Sequence, residues 1–229
     1  MGYPQKSAAL QWLGRVHLGL GDYASAADYL QQSLAILQEA QDREGELGIL
    51  SELGRAYQHL GDFAGAIALY QQSLAIAQFL NAPVREAEAL LNLGKAYLSQ
   101  NQLTDAIEFY QQSLATGKLN REAESQALLG LGSANQCLNN YTQAIKYYQQ
   151  SLATGALGLK GEGMALFALG SAYYFLGDYF SAIESLDQSW LIEESMGDVA
   201  AARSVKEMMK AAFKALSHSN SVLILKSVD

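Results

Sequence analysis

One pattern recurs five times along the chain, and this repetition constrains the fold more than any other feature of the sequence. The clearest copy, from Leu53 to Ala75, reads L-G-x-A-Y-x-x-L-G-D-F-x-x-A-I-x-x-Y-Q-Q-S-L-A. Units that recur at a period of about 20 to 50 residues stack on their neighbours, so we predict one repeat array over nearly the whole chain. The copies are spaced by 40, 40, 38 and 38 residues, as measured between five glycines: Gly14, Gly54, Gly94, Gly132 and Gly170.

Each repeat is predicted to be a pair of α-helices of roughly 15 to 17 residues. In the second repeat, Leu50, Leu53 and Tyr57 follow the three-and-four spacing of one helix face. The turn between the helices begins with Gly or Asn, which tolerate a left-handed backbone, and usually continues with an Asp or Asn cap. The five turns are Gly21-Asp22, Gly61-Asp62, Asn101-Gln102, Asn139-Asn140 and Gly177-Asp178, of which Gln102 is the weak cap.

Small residues recur at two positions of every hairpin, Gly54 on the first helix and Ala66 on the second in repeat two. A glycine inside a helix costs about 1 kcal/mol relative to alanine, so its recurrence needs a geometric reason. We therefore predict that Gly54 and Ala66 face each other and that the two helix backbones approach closely there.

The composition argues against several classes of function. The formal charge is −8, so a clustered basic surface for nucleic acid is not expected. The single cysteine, Cys137, excludes an intramolecular disulfide and is expected to be an inert, partly buried thiol. Because no catalytic or metal-ligand spacing is found, we predict no enzymatic activity, no metal and no cofactor.

The location of the protein is predicted from apolar patterning. Polar residues interrupt every apolar stretch before it reaches the roughly 20 residues that span a bilayer. The sequence therefore predicts a cytoplasmic protein without direct membrane insertion; the alternative is membrane association through regions outside this chain.

The repeats resemble the tetratricopeptide repeat. The second repeat supplies the matching residues Leu50, Leu53-Gly54, Tyr57, Ala66, Tyr70 and Ser73. Departures are His17 and Asn135 where Tyr is usual, Leu30 and Leu186 where Tyr or Phe is usual, and Ser where Ala is favoured late in the second helix. The period exceeds the usual value of about 34 residues and is similar to that of kinesin light chains and G-protein regulators.

The resemblance implies an all-α fold, an α-solenoid with a right-handed superhelix made of five helical hairpins and a C-terminal capping helix. It implies a single domain over residues 1–217, followed by a tail, 218–229, that contains the apolar run Val222–Leu225. The expected repeats are 7–40, 44–80, 84–118, 121–155 and 160–196, with the capping helix at 198–217.

The resemblance also implies that the first helices line a concave groove in which a partner segment binds. Arg15, Arg55 and Lys95 would form a basic row there, and Asn92 would hydrogen-bond a peptide backbone. The alternative is that Arg55 pairs with Glu52 and the row is ordinary solvated surface. The predicted groove residues are Gln11, Trp12, Arg15, Ser51, Arg55, Leu91, Asn92, Lys95, Leu129, Ser133, Phe167, Ser171 and Tyr174.

From this groove we predict a scaffold that binds a peptide or helical segment of another protein, acidic at one end and with apolar anchors at the other. Two alternatives stay open. The chain is a regulatory or membrane-tethered module of a larger protein, such as a photosystem assembly or repair factor of a photosynthetic bacterium, or it is a self-associating structural repeat protein.

Overall fold

A computed structural model of the chain describes the backbone of residues 3–226 and the side chains of residues 3–219. This part of the chain contains eleven helices and no strand, which confirms the all-α class. Five helical hairpins are followed by one further helix, also as predicted. The helices are α1 (Tyr3–Leu20), α2 (Tyr23–Glu39), α3 (Arg43–Leu60), α4 (Phe63–Phe79), α5 (Pro83–Ser99), α6 (Leu103–Ala115), α7 (Arg121–Cys137), α8 (Tyr141–Ala153), α9 (Gly158–Leu176), α10 (Tyr179–Met196) and α11 (Val199–Lys226).

The chain divides into two compact units, Met1–Leu119 with α1 to α6 and Asn120–Asp229 with α7 to α11. We call these unit 1 and unit 2. Within each unit, every helix packs on the next helix along the chain. Because each unit is described separately, the single domain over residues 1–217 stays a prediction.

The turns inside the hairpins have the predicted backbone geometry. Gly61 has a φ of 83° and Asn101 a φ of 59°, both in the left-handed region, and the other three turns begin in the same way. Asp62 accepts a hydrogen bond from the Gly65 amide at 2.9 Å, as a helix cap should. Gln102 makes no capping bond, as predicted, but neither does Asn140, for which the prediction was wrong.

The glycine of each first helix lies beneath a large side chain of the second helix. A Cβ atom on Gly54 would lie 2.5 Å from Cε1 of Tyr70, a residue with no exposed surface. The close approach was predicted, but the side chain that uses the space is Tyr70, one turn after the predicted Ala66. Leucine takes the place of the tyrosine in the first and last hairpins, in the pairs Gly14–Leu30 and Gly170–Leu186.

A buried serine joins the two helices at the other end of the hairpin. Ser113 Oγ donates to the Ala87 carbonyl at 2.7 Å, and the hydroxyls of Ser33, Ser151 and Ser189 make the same bond to the residue 26 positions earlier. This bond gives a physical reason for the serine that departs from the family's alanine, because alanine has no donor.

The last helix is longer than predicted. α11 packs on α10, and its residues Val205 and Ala212 are buried, while Lys210 is exposed and pairs with Glu207 at 2.7 Å. The helix continues to Lys226, so residues 218–226 of the predicted tail, including Val222–Leu225, are helical. Residues 227–229 of that tail lie outside the described residues.

Replacing Gly54 by alanine tests the contact with Tyr70. We expect Gly54→Ala to lower the free energy of unfolding by up to about 2 kcal/mol, because an overpacking cost of about 1–3 kcal/mol outweighs a helix-propensity gain of about 1 kcal/mol. Gly48 is the matched control in the same helix, since a Cβ there meets only Gln11 Nε2, at 3.7 Å. Urea denaturation followed by circular dichroism should show Gly48→Ala equal to or above the parent. Equal stability of the two variants would contradict the packing argument.

Burial of tyrosine predicts a loss of stability in alkali. Burial raises the pKa of Tyr148 to about 12, and it also raises the pKa values of Tyr70 and Tyr110. An unfolded tyrosine titrates near pH 10, so above that pH the unfolded chain releases phenolic protons that the folded chain retains. Stability should therefore be complete below about pH 10 and fall at higher pH, by up to about 1.4 kcal/mol per pH unit for each tyrosine.

Urea denaturation between about pH 9 and pH 11 measures this slope. Tyr148→Phe should make the slope shallower, whereas Tyr3→Phe, which changes an exposed ring, should leave it unchanged. A slope that Tyr148→Phe does not alter would show that other groups cause the loss.

Candidate partner-binding groove

The first helices of successive hairpins are neighbours in both units. In unit 1, α1 contacts α3 and α3 contacts α5; in unit 2, α7 contacts α9 and α9 contacts α11. Within the described part of each unit, no contact joins consecutive second helices. The first helices therefore lie on the inner side of each stack, where the predicted groove residues are located.

In unit 1, the first two repeats are joined by an ion pair. The Nε atom of Arg15 donates to Oε1 of Glu52 at 2.6 Å. The predicted alternative paired Glu52 with Arg55, so the partner differs: the carboxylate reaches across to the neighbouring repeat instead of along its own helix. The other carboxylate oxygen of Glu52 is buried and has no hydrogen-bond partner among the described residues.

The same residues line an open pocket of about 290 Å³, together with Arg55, Leu18 and Gly19. The pocket has a formal charge of +1, because it contains two arginines and one glutamate. Arg55 is exposed, and the side chain of Arg15 is 46% exposed. The pocket has a net positive formal charge, and Glu52 neutralises part of the charge of the two arginines.

The other predicted groove residues of unit 1 differ in how much surface they offer. Trp12 is 66% exposed, and its ring lies 5.9 Å from the guanidinium carbon of Arg15 in a cation–π contact. Leu91 is only 5% exposed, so it belongs to the core of the stack and has almost no surface that a partner could contact. The half-buried residues are Gln11, Ser51, Asn92 and Lys95.

In unit 2, three predicted groove residues meet at one open pocket of about 460 Å³: Ser133, Phe167 and Ser171. Part of its lining is aromatic, because the rings of Tyr141 and Phe175 stack there with centroids 5.5 Å apart.

A chain of hydrogen bonds forms the polar side of this pocket. Tyr148 Oη donates to Gln136 Oε1 at 2.8 Å, and Gln136 Nε2 donates to Ser171 Oγ at 3.2 Å. Because burial raises the pKa of Tyr148 to about 12, its hydroxyl stays protonated at neutral pH and remains a donor. Apolar rings beside fixed hydroxyl and amide groups suit a side chain that is mostly apolar with one polar atom.

The remaining predicted residues of unit 2 support the pocket or lie beside it. Leu129 packs against the cluster that contains Ile145, Tyr148 and Leu169. Tyr174 is half-buried and meets Phe175 edge-on, with the ring centroids 5.5 Å apart.

Sequence reasoning missed several lining residues of this pocket. Cys137 was expected to be partly buried but is exposed there. The hydrogen bond between Gln136 and Tyr148 could have been predicted from the sequence. A glutamine precedes the buried tyrosine by 12 residues in two repeats, as Gln58–Tyr70 and Gln136–Tyr148, and the two side chains are hydrogen-bonded in both. Within the described residues, no group of three His, Cys, Asp or Glu side chains could hold a metal ion.

None of the helices in the described part of the chain combines the length and the apolar character needed to cross a membrane.

In each unit, helical hairpins stack as in an α-solenoid, with successive first helices in contact. Tetratricopeptide repeat family models match residues 9–44, 46–118 and 129–199. The chain therefore belongs to the tetratricopeptide repeat family, as its turns and anchoring glycines predicted. Membership is consistent with a general protein-binding role.

Solved structures of the same fold are similar to the chain. Kinesin light chain-like repeats from Podosopora anserina share 24% identity with a TM-score of 0.68, over 86% of this chain and 99% of that one. BtubC from P. vanneervenii shares 20% identity with a TM-score of 0.71, over 82% and 80% of the two chains. Aspartyl phosphate phosphatase F from Bacillus subtilis shares 17% identity with a TM-score of 0.78, over 99% of this chain and 62% of that one. No curated protein matches the chain.

Proposed function

We propose that this protein is a non-enzymatic scaffold that binds an extended or helical segment of a partner protein on its first helices. The observation that carries the proposal is that groove residues from successive repeats meet at an open pocket in each unit. Arg15 and Arg55 do so in unit 1, and Ser133 and Phe167 do so in unit 2.

The chemistry of the two pockets suggests the kind of segment. The unit 1 pocket holds two arginines around one glutamate, which favours a carboxylate in the partner, since guanidinium groups bind carboxylates bidentately. The unit 2 pocket offers aromatic rings and a hydroxyl–amide chain, which favours an apolar anchor residue. We propose a partner with acidic residues and apolar anchors; Asn92, half-buried on α5, would hydrogen-bond its backbone.

Peptide selection followed by calorimetry tests the proposal. Peptides of about 16 residues selected on the full chain should be enriched in acidic and apolar residues. Arg55→Glu should weaken a selected acidic peptide at least tenfold, because it replaces attraction by repulsion, and added salt should weaken it further. Lys118→Glu is the matched control, since it makes the same charge change at an exposed loop position of the same unit. Equal weakening by both variants would mean that only net charge matters.

The only cysteine of the chain gives an independent measurement in unit 2. Because Cys137 is exposed and lines the pocket, a bound segment should slow its alkylation by a maleimide several-fold. Phe167→Ala should weaken this protection and leave the helical content unchanged. Selected peptides that neither protect Cys137 nor respond to Arg55→Glu would place binding away from the first helices.

A further inference from the structure

An apolar stripe on α1, the first helix of unit 1, is open to solvent. Leu13, Val16 and Leu20 are 44%, 52% and 75% exposed, and Ala9 is exposed as well. Their spacing of four, three and four residues places all of them on one face of the helix. We call these four residues the α1 stripe.

The same face is the stacking interface in the next repeat. Ile49, Leu53 and Ala56 of α3 are equivalent to Ala9, Leu13 and Val16, 40 residues earlier, and are at most 2% exposed, whereas Leu60, the equivalent of Leu20, is 48% exposed. They pack in one cluster with Leu30 and Leu34 of α2, the second helix of the preceding hairpin.

The third repeat shows the same arrangement. On α5, Leu93 and Ala96 are fully buried and pack against Tyr70 of α4. Wherever a hairpin precedes a first helix in unit 1, its second helix covers this face. In the α1 stripe, Ala9 replaces the bulky Ile49 and Val16 replaces the small Ala56, so the stripe keeps a comparable apolar bulk.

Charge on α1 limits what fits beside the stripe. α1 carries the exposed cations Lys6 and Arg15, of which Arg15 pairs with Glu52 of α3, and it carries no acidic residue. α2, which covers the equivalent face of α3, carries Asp28 and Glu39 and no basic residue. A second copy of α1 would bring cations of like sign together, whereas an acidic helix would complement them.

We propose that the α1 stripe is a docking site for an amphipathic helix of a partner protein, with a leucine and alanine face like that of α2 and acidic flanks. The site is separate from the groove, because neither Leu13 nor Val16 lines the pocket formed by Arg15, Glu52 and Arg55. A helix seated there would continue the stack by one element, with the contacts that α2 makes on α3.

A labelled peptide with the sequence of α2, Tyr23–Glu39, is a direct probe. Titration of the fluorescein-labelled peptide with the full chain should give a saturable rise in anisotropy. Val16→Asp should weaken binding at least tenfold, because it places a charge in the stripe. Val84→Asp is the matched control, since Val84 is 51% exposed against 52% for Val16 and lies on α5. Circular dichroism should show both variants folded.

Two more variants distinguish binding at the α1 stripe from binding elsewhere on the chain. A peptide with Asp28→Lys and Glu39→Lys should bind several-fold more weakly, and Arg55→Glu in the chain should leave binding unchanged. The proposal is overturned if the anisotropy does not saturate at a millimolar concentration of the chain. It is also overturned if Val16→Asp does not alter binding, which is the result expected if the peptide displaces α2 itself. It is also overturned if sedimentation shows a dimer that Val16→Asp abolishes, because a second copy would then cover the stripe.

Discussion

The stack depends on one contact: a large side chain of the second helix seated over a glycine of the first. Tyr70 fills the space that Gly54 leaves, and the same ring packs on Leu93 and Ala96 of the next hairpin. One side chain therefore holds its own hairpin together and joins it to its neighbour. Tyr148 does the same in unit 2, where it packs with Leu169 and Ala172. Because both interfaces share one residue, the order of each hairpin is coupled to the order of the next.

This contact also determines which surfaces remain for function. The stack uses one face of each first helix for its own hairpin and a second face for the preceding hairpin, which leaves the inner face open. Arg55 and Phe167 lie on that open face, in the two pockets. The first helix of unit 1 has no hairpin before it within the described residues, so Leu13 and Val16 are exposed as well. The groove and the α1 stripe are thus two consequences of the same packing scheme.

Features that depend on the local sequence could be predicted. Features that depend on which side chains of neighbouring helices come into contact could not. The left-handed turns follow from Gly and Asn alone, and the repeat period followed from the glycines. Asn140 makes no cap although Asp62 does, and Asn120, also an asparagine, caps α7, so the residue type alone does not decide whether the capping bond forms. Glu52 had two arginines within reach, and only the packing of α1 beside α3 selects Arg15. The pocket in unit 2 needed residues from α7, α8 and α9 together, which no single spacing reveals.

In the proposed complex, a partner segment lies along the first helices. Chemical-shift mapping by nuclear magnetic resonance, with a selected peptide added to the labelled full chain, tests it most directly. Side-chain signals should be perturbed on α1, α3 and α5 in unit 1 or on α7 and α9 in unit 2, including Leu18 and Ala168 in the two pockets. Perturbations confined to the exposed faces of the second helices, such as Ala35 and Ala75, would contradict it.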